Sequence, residues 1–275
     1  MRSSTRHRLL LGAAFALLIA APGSAQNAAT PDFSSNQTAW NGIGGGEWVP
    51  VPGSPRPVTQ DPRYKYVPNG TGAQPTFRIG DVTNPNLKQW AKDVMKKDND
   101  EVLAGKVAFT ARSSCRLAGV PGFMVMGGGQ VYFVQSPREV LIMFDGDAHV
   151  RRIHMNAQHA RNPKPSWYGD SVGKYEGDTL VVDTIGLNAK TFVDAYRTPH
   201  TEKIHVVERW RLIEGGDKLE VHVTVTDPDT FNEPWQAIRR YQRGKGVFPE
   251  NICAENNHIV FGDDYDIPEA DKADF

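Results

Sequence analysis

Two histidines and two carboxylates lie close together in one segment, which begins as a loop after a proline and continues as a predicted strand. They are His200, Glu202, His205 and Glu208. Side chains of these types exchange protons in enzymes, and histidine does so most readily near neutral pH. The segment therefore predicts acid/base chemistry, provided that the fold brings at least two of these groups together.

The register of a predicted β-hairpin places Glu208 on an apolar face. Gly215-Gly216 separates its strand from a second alternating segment, which is typical of a hairpin turn. With these glycines as turn residues, Glu208 pairs with Val223 and shares its face with Trp210. Burying an unpaired carboxylate is costly or raises its pKa, so we expect Glu208 to act as a general acid or base. A structural glutamate paired with an arginine or a backbone amide is the alternative.

The other face of this hairpin is polar. Arg211 pairs with Glu220 in the same register, which predicts an ion pair between the strands. His205 or His200 is the expected catalytic partner of Glu208.

A compact polar and aromatic segment, residues 166–173, adds Asp170 as a further catalytic candidate. If Glu176 and Gly177 are the turn residues of the hairpin that follows, Asp170 faces Asp183. Two adjacent carboxylates share a proton or bind a cation. Hydrogen bonding of Asp170 within the turn is the alternative.

The expected pocket has tryptophans as apolar walls and a few polar contacts to the substrate. The substrate-binding candidates are Trp167, Trp210, Trp235, Glu202 and His154.

A metal site is the alternative use of the first segment, with His154 or His159 added to its two histidines and Glu202. The spacing His-x-Glu-x-x-His differs from HExxH, which places two histidines one helical turn apart. Because the segment leads from a loop into a strand, we predict no metal ion and no other cofactor.

Composition and the first residues indicate the class of protein and its location. The 275-residue chain has 39% hydrophobic residues and a formal net charge of −1, so one sizeable core is expected and nucleic-acid binding is not.

Three arginines precede an apolar segment, residues 9–21, and small residues up to Ala25. This predicts a signal peptide, residues 1–25, and a periplasmic or secreted protein. The apolar segment is too short to span a bilayer, so no membrane anchor is expected.

The chain contains two cysteines, Cys115 and Cys253. In an oxidising compartment they could form a disulfide. Two buried thiols are the alternative, because sequence does not give the distance between them.

Short alternating segments separated by turns dominate the chain from residue 130 onwards. A predicted helix, residues 84–104, precedes them, and residues 26–80 are rich in Pro, Gly, Asn and Ser, which predicts an irregular N-terminal arm. Because hairpins follow one another with no crossover helix, we expect a mainly β, antiparallel up-and-down barrel of calycin-like type, with a sandwich as the alternative. This domain spans residues 81–262, and an acidic tail, residues 263–275, follows it.

The segment SWYGDSVGKYEGDTLVVDT, residues 166–184, resembles a family of exported bacterial β-rich proteins of largely unassigned function. The resemblance continues through PHTEKIHVVER, residues 199–209, and covers about residues 84–260. It implies a secreted β-rich domain and no particular reaction. The matching positions for a site are Trp167, Asp170, His200, Glu202, His205 and Glu208.

Two functions of different class follow from these features. The first is a secreted enzyme that uses Glu208 as acid or base in a barrel pocket, as a lyase, isomerase or hydrolase acting on a small hydrophobic or aromatic molecule. The second is a periplasmic lipocalin-like protein that binds such a molecule without turnover. Pockets of both kinds are mostly apolar with a few polar groups.

Overall fold

The structure is a computed structural model that describes residues 30–34, 38–68, 71–106, 111, 115–126, 129–147 and 149–250, and the backbone of 259–260 and 263–264. This part of the chain contains one helix and twelve strands. They are β1 (Thr38–Gly42), β2 (Val49–Pro50), α1 (Gln89–Leu103), β3 (Gln130–Gln135), β4 (Glu139–Phe144), β5 (His149–Met155), β6 (Asp170–Glu176), β7 (Thr179–Ile185), β8 (His205–Ile213), β9 (Lys218–Thr226), β10 (Trp235–Lys245), β11 (Ile259–Val260) and β12 (Asp263–Asp264).

Nine of these strands form a closed barrel. Strands β3 to β10 are neighbours in sequence order, and β1 closes the ring by pairing with both β10 and β3. A ring of nine strands cannot alternate in direction at each junction, so at least one pair must be parallel. That pair is β5 and β6, which are joined only from Ile153↔Ser171 to Met155↔Gly173. The predicted calycin-like up-and-down barrel with one preceding helix is confirmed, with this pair as the exception to its antiparallel order.

Strand β1 lies inside the segment that the sequence predicts to be an irregular arm. It pairs with β10 from Thr38↔Lys245 to Gly42↔Tyr241. Trp40 is fully buried, and its indole Nε1 donates to the carbonyl of Phe33 at 2.9 Å. Burial of this tryptophan draws the arm onto the barrel, so the ring is closed by residues outside the predicted domain boundary at residue 81.

The predicted register of the β8–β9 hairpin is confirmed. Glu208 pairs with Val223 and Arg211 with Glu220, and Arg211 Nη2 lies 2.7 Å from the Glu220 carboxylate. Since paired side chains point to the same side of a sheet, the register identifies the inward face. Trp210 packs there against Phe133 with a centroid separation of 5.3 Å.

The helix begins at Gln89, later than the predicted residue 84. The preceding residues are bonded to a loop: Leu87 forms a bridge with Phe231, and Lys88 N donates to Thr230 O at 2.9 Å. These bonds hold the backbone at Lys88 in an extended conformation, so the helix cannot begin before Gln89. The predicted end is confirmed at Gly105, whose φ of 95° terminates the helix.

Three of the sequence-based predictions concern residues at the margins of the described chain. Cys115 is disulfide-bonded, and Cys253 lies outside the described residues. The predicted signal peptide also lies outside them, as does the acidic tail after β12. Strands β11 and β12 form a separate two-stranded sheet. None of the helices in the described residues has the length and apolar character needed to cross a membrane.

Candidate functional site

Glu208 lies inside the barrel and is paired with Arg151 of β5. Both side chains are buried, and the Glu208 carboxylate has no exposed surface. Arg151 Nη1 lies 3.0 Å from Oε1 and 2.8 Å from Oε2, but the geometry at Oε2 is poor and this oxygen has no proper hydrogen bond. Arg151 also donates to Ser171 Oγ at 3.2 Å and to Thr184 Oγ1 at 2.7 Å. These four inward-facing residues form a polar network among mainly apolar core side chains.

The environment of Glu208 combines two opposing effects on its pKa. Burial raises the pKa of the carboxyl, and the charge and hydrogen bond of Arg151 lower it; the net direction is upward. The expected inward position of Glu208 is therefore confirmed. The pairing with Arg151 is what we expect if Glu208 is a structural glutamate. Because the carboxylate has no exposed surface, it can contact a ligand only if Arg151 moves. The catalytic role of Glu208 stays a prediction.

The two histidines predicted as partners of Glu208 do not reach it. His200 is buried in a loop, where its Nε2 lies 2.7 Å from Thr191 Oγ1 and its Nδ1 2.9 Å from Thr201 O. Burial lowers the pKa of His200. His200 is therefore a neutral imidazole whose two ring nitrogens both have hydrogen-bond partners. His205 lies on the outer face of β8, opposite to Glu208, and 42% of its side chain is exposed.

Glu202 lies in an exposed turn before β8. The turn is held by Asp227, whose Oδ1 accepts from Thr201 Oγ1 at 2.9 Å and whose Oδ2 accepts from Thr230 Oγ1 at 2.8 Å. The turn thus keeps Glu202 away from the barrel interior.

Asp170 does not face Asp183, and the prediction of that pair is wrong. Asp170 pairs with Ile185, whereas Asp183 pairs with Val172. The hairpin turn begins at Gly177, with a φ of 63°, because the first central position of such a turn favours glycine. This moves the register by two residues from the prediction.

A histidine nevertheless joins the two carboxylates on the outer face of the barrel. His159 Nδ1 lies 3.0 Å from Asp170 Oδ2, and its Nε2 lies 3.0 Å from Asp183 Oδ1. His205 Nε2 approaches the same Asp183 oxygen from β8, at 2.8 Å. His159 belongs to the segment that connects β5 to β6, so these contacts fasten this connection to β6 and β7.

An open cleft lies at the parallel junction of the barrel wall. β5 pairs with β6 only from Ile153 onwards, and the first half of β5 faces the segment before β6 across a space of about 280 Å³. We call this opening the seam cleft. Its lining includes His149, Arg151, Arg152, His154, Trp167, Tyr168 and Asp170.

The seam cleft has an ordered aromatic wall. The His149 ring stacks on Tyr168 with a centroid separation of 4.7 Å and an interplanar angle of 20°. Tyr168 is fixed in turn by a 2.7 Å hydrogen bond from its hydroxyl to Asp147 Oδ2. Trp167 beside it is half-buried and His154 is exposed. The lining of the cleft thus includes one indole and two imidazoles.

The structure thus separates the predicted site residues into two groups. Trp167, His154 and Asp170 come together in the seam cleft. Trp210 and Trp235 are completely or almost completely buried in the core and present no surface to a ligand in this structure.

The sequence analysis missed Arg151 and His149 as site residues and considered His159 only as an additional ligand of the alternative metal site. Arg151 belongs to both the interior network and the lining of the seam cleft. The available signal was Arg151 on a strand with apolar neighbours at every second position, since an arginine on a buried face needs a partner. Within the described residues, no group of three or more histidine, cysteine, aspartate or glutamate side chains is arranged to hold a metal ion.

Comparisons with known proteins add little to this description. No family model and no curated protein matches the chain. Among solved structures, the chain is similar to a single-residue mutant of the fluorescent protein UnaG over 43% of its own length and 73% of that chain, with 14% identity and a TM-score of 0.26. A TM-score this low carries no structural or functional argument. The closed up-and-down barrel is established by its own strand pairing, and barrels of about this size can hold one small molecule.

Proposed function

We propose that the protein binds one small aromatic molecule in the seam cleft. The observation that carries the proposal is that a half-buried tryptophan, Trp167, and two histidines, His149 and His154, line one space of about 280 Å³. Binding pockets combine aromatic walls with a few polar groups in this way. A cavity of roughly 150 Å³ accommodates benzene, so the cleft suits one ring with a polar substituent.

The polar groups of the cleft favour a hydroxyl substituent. A neutral imidazole carries one donor and one acceptor, and both His149 and His154 lie at the cleft. The carboxylate of Asp170 is already engaged through Oδ2 by His159 and by the amide of Ala160 at 2.9 Å. A phenol, whose hydroxyl both donates and accepts, matches this arrangement better than a hydrocarbon.

Calorimetric titration with 4-methylphenol tests the proposal, with cyclohexanol as the non-aromatic comparison. We expect Trp167→Ala to weaken binding of 4-methylphenol by at least about tenfold, or about 1.4 kcal/mol. Trp90→Ala is the matched control, because Trp90 is 38% exposed on α1 and does not line the cleft. Equal affinity in wild type and Trp167→Ala, or equal affinity for the two ligands, would contradict the proposal.

Acid/base catalysis by Glu208 is the second candidate function. It is supported by one observation: Arg151 contacts Glu208 and also lines the cleft, so a ligand that displaces Arg151 would reach a carboxyl whose pKa is raised by burial. The reaction would be that of a lyase, isomerase or hydrolase. Under this proposal Glu208→Gln abolishes turnover of the bound phenolic compound and leaves its affinity within a few fold; unchanged turnover would exclude Glu208.

We also propose that the protein works in the periplasm or outside the cell. The support is the basic and apolar N-terminal segment with small residues before Ala25. N-terminal sequencing of the protein from fractionated bacterial cells tests this: a mature protein that begins at Gln26 is expected, and an intact Met1 in the cytoplasmic fraction would contradict it.

A further inference from the structure

Arg239 is a buried cation inside the barrel with no carboxylate partner in the described part of the chain. It pairs with Val221 on the inward face of β10 and is only 3% exposed. Its Nη1 donates to the carbonyl of Ile43, and its Nε has no hydrogen-bond partner among the same residues. Taking a cation out of water costs several kcal/mol unless an anion compensates it.

Tyr241 adds a second polar group without a partner. It lies two residues further along the same face of β10. Its buried hydroxyl has no hydrogen bond of good geometry within the described residues, although the Arg239 guanidinium lies close enough to lower the pKa of the phenol. The Arg239 Cζ atom lies 5.8 Å from the centroid of its ring. Burial raises the pKa of Tyr241, so the phenol keeps its proton and is available as a donor.

Within the described residues, the fully buried charged side chains on inward-facing strand positions leave one positive charge without a counter-charge. Of the charged side chains buried on inward-facing strand positions of the described chain, Arg151 and Glu208 neutralise each other. Arg239 remains as a single positive charge. One monovalent anion would restore neutrality, whereas a phosphate dianion would overshoot it.

The residues that cover Arg239 form a glycine loop, residues 42–46. β1 stays paired with β10 as far as Gly42, and Ile43 N then donates to Arg240 O at 2.9 Å. Arg239 packs directly on Gly42, where a Cβ atom would overlap its guanidinium. Gly44 and Gly45 have φ angles of 81° and 72° and are exposed. One thin, glycine-rich segment thus separates the guanidinium from solvent.

We propose that Arg239 and Tyr241 form a binding site for the carboxylate of a small aliphatic acid, which enters when the glycine loop shifts. The guanidinium fork matches a carboxylate with two parallel N–H donors, and the tyrosine hydroxyl supplies a third. The surroundings, with Val221 and Trp210, suit an aliphatic chain better than a hydrated inorganic ion. This site lies on β10, across the barrel from the seam cleft, and does not depend on the function proposed there.

The test uses hexanoate labelled with ¹³C at the carboxyl, with hexan-1-ol as the uncharged ligand and inorganic phosphate as the alternative anion. In the wild-type protein we expect saturable binding of hexanoate, at least tenfold tighter than that of hexan-1-ol or phosphate. Arg239→Met should weaken hexanoate binding at least tenfold. Arg240→Gln is the matched control, because the Arg240 side chain lies on the outer face of the barrel, where its Nε contacts Glu220 at 2.7 Å. We expect the Arg240→Gln variant to bind hexanoate as tightly as the wild type.

Tyr241→Phe removes only the hydroxyl and provides an independent test if Arg239→Met does not fold. We expect this variant to bind hexanoate about fivefold more weakly than the wild type. Trp167→Ala should bind hexanoate normally, which separates this site from the seam cleft. The proposal is overturned if hexanoate does not bind, if hexan-1-ol or phosphate binds as well, or if the folded Arg239 and Tyr241 variants keep wild-type affinity.

Discussion

Arg151 Nη1 lies 2.8 Å from Glu208 Oε2 in the interior of the barrel, and the same arginine lines the seam cleft in the barrel wall. The two residues are 57 positions apart in sequence and come from strands on different sides of the parallel junction. Arg151, together with its hydrogen-bond partner Ser171, thus belongs to both the buried network and the lining of the proposed binding site.

Removing one partner of this pair should be far more damaging than removing both. Arg151→Met leaves the Glu208 carboxylate buried and uncompensated, and we expect the free energy of unfolding to fall by about 3–5 kcal/mol. Arg151→Met with Glu208→Leu should recover most of this loss. Urea unfolding of the two single variants and the double variant measures the coupling; additive effects would show that the pair is not an energetic unit.

Asp194 should make the stability fall as the pH rises from about 4 to 6. Its Oδ1 accepts from Tyr196 N and Thr198 N, while Oδ2 is buried without a partner in the described residues. Burial raises the pKa of Asp194 from 3.8 to about 6, so the folded state holds a proton that the unfolded state releases. At about 1.4 kcal/mol per pH unit, this separation is worth about 3 kcal/mol, lost as pH passes through the window.

Comparison of wild type with Asp194→Asn isolates this contribution from those of other carboxylates. We expect the wild type to lose about 3 kcal/mol relative to the variant between pH 4 and pH 7. Urea unfolding at several pH values measures it. A difference that is constant with pH, or that grows in favour of the wild type, would refute the assignment.

Glu220 should contribute stability with the opposite dependence on pH. Its carboxylate is 3% exposed and receives Arg211, Arg240 and His222 at 2.7, 2.7 and 3.1 Å. Burial alone would raise the pKa of Glu220, but the hydrogen bonds from these three groups together hold it below its ordinary value. The stabilisation is therefore present at neutral pH and is lost as the pH falls below about 4.

We expect Glu220→Gln to cost about 1–3 kcal/mol at pH 7 and much less at pH 3. Glu176→Gln is the control, since Glu176 also contacts two cations, Lys174 and Arg209, but is 38% exposed. Because solvent screens exposed ion pairs, this variant should lose clearly less stability than Glu220→Gln. Urea midpoints at both pH values give the comparison. Equal losses in the two variants would mean that burial does not strengthen the Glu220 contacts.

His159→Ala should loosen the connection between β5 and β6, residues 156–169. The substitution removes contacts to both Asp170 and Asp183, and we expect it to lower the free energy of unfolding by about 1 kcal/mol and to speed proteolysis within the connection. His205→Ala is the control, because it removes one contact to Asp183 without touching the connection. Equally fast cleavage of the two variants would show that His159 does not fasten this segment.

The sequence predicts best what is decided by neighbouring residues. The register of the β8–β9 hairpin agrees with the prediction, because alternation and one Gly-Gly turn specify it locally. The β6–β7 register was missed by two residues, since Glu176-Gly177 and Gly177-Asp178 are both plausible turns. The structure resolves this by placing Gly177 at the position that requires a positive φ.

The remaining features depend on how the ring closes. β1 is five residues long and pairs with a strand about 200 residues away, so its own sequence carries little signal. A barrel of eight strands needs no parallel pair, whereas the ninth strand, β1, makes one parallel pair necessary. In this structure β5 and β6 form that pair. The arginine that pairs with Glu208 is equally a consequence of closure, because β5 and β8 are not neighbours.

The most direct test of the central claim is a crystal structure of the protein with 4-methylphenol. The account predicts density for one ring in the seam cleft, in contact with Trp167 and with its hydroxyl within hydrogen-bond distance of His149 or His154. Density for the ligand elsewhere, with the cleft containing only water at saturating 4-methylphenol, would contradict it.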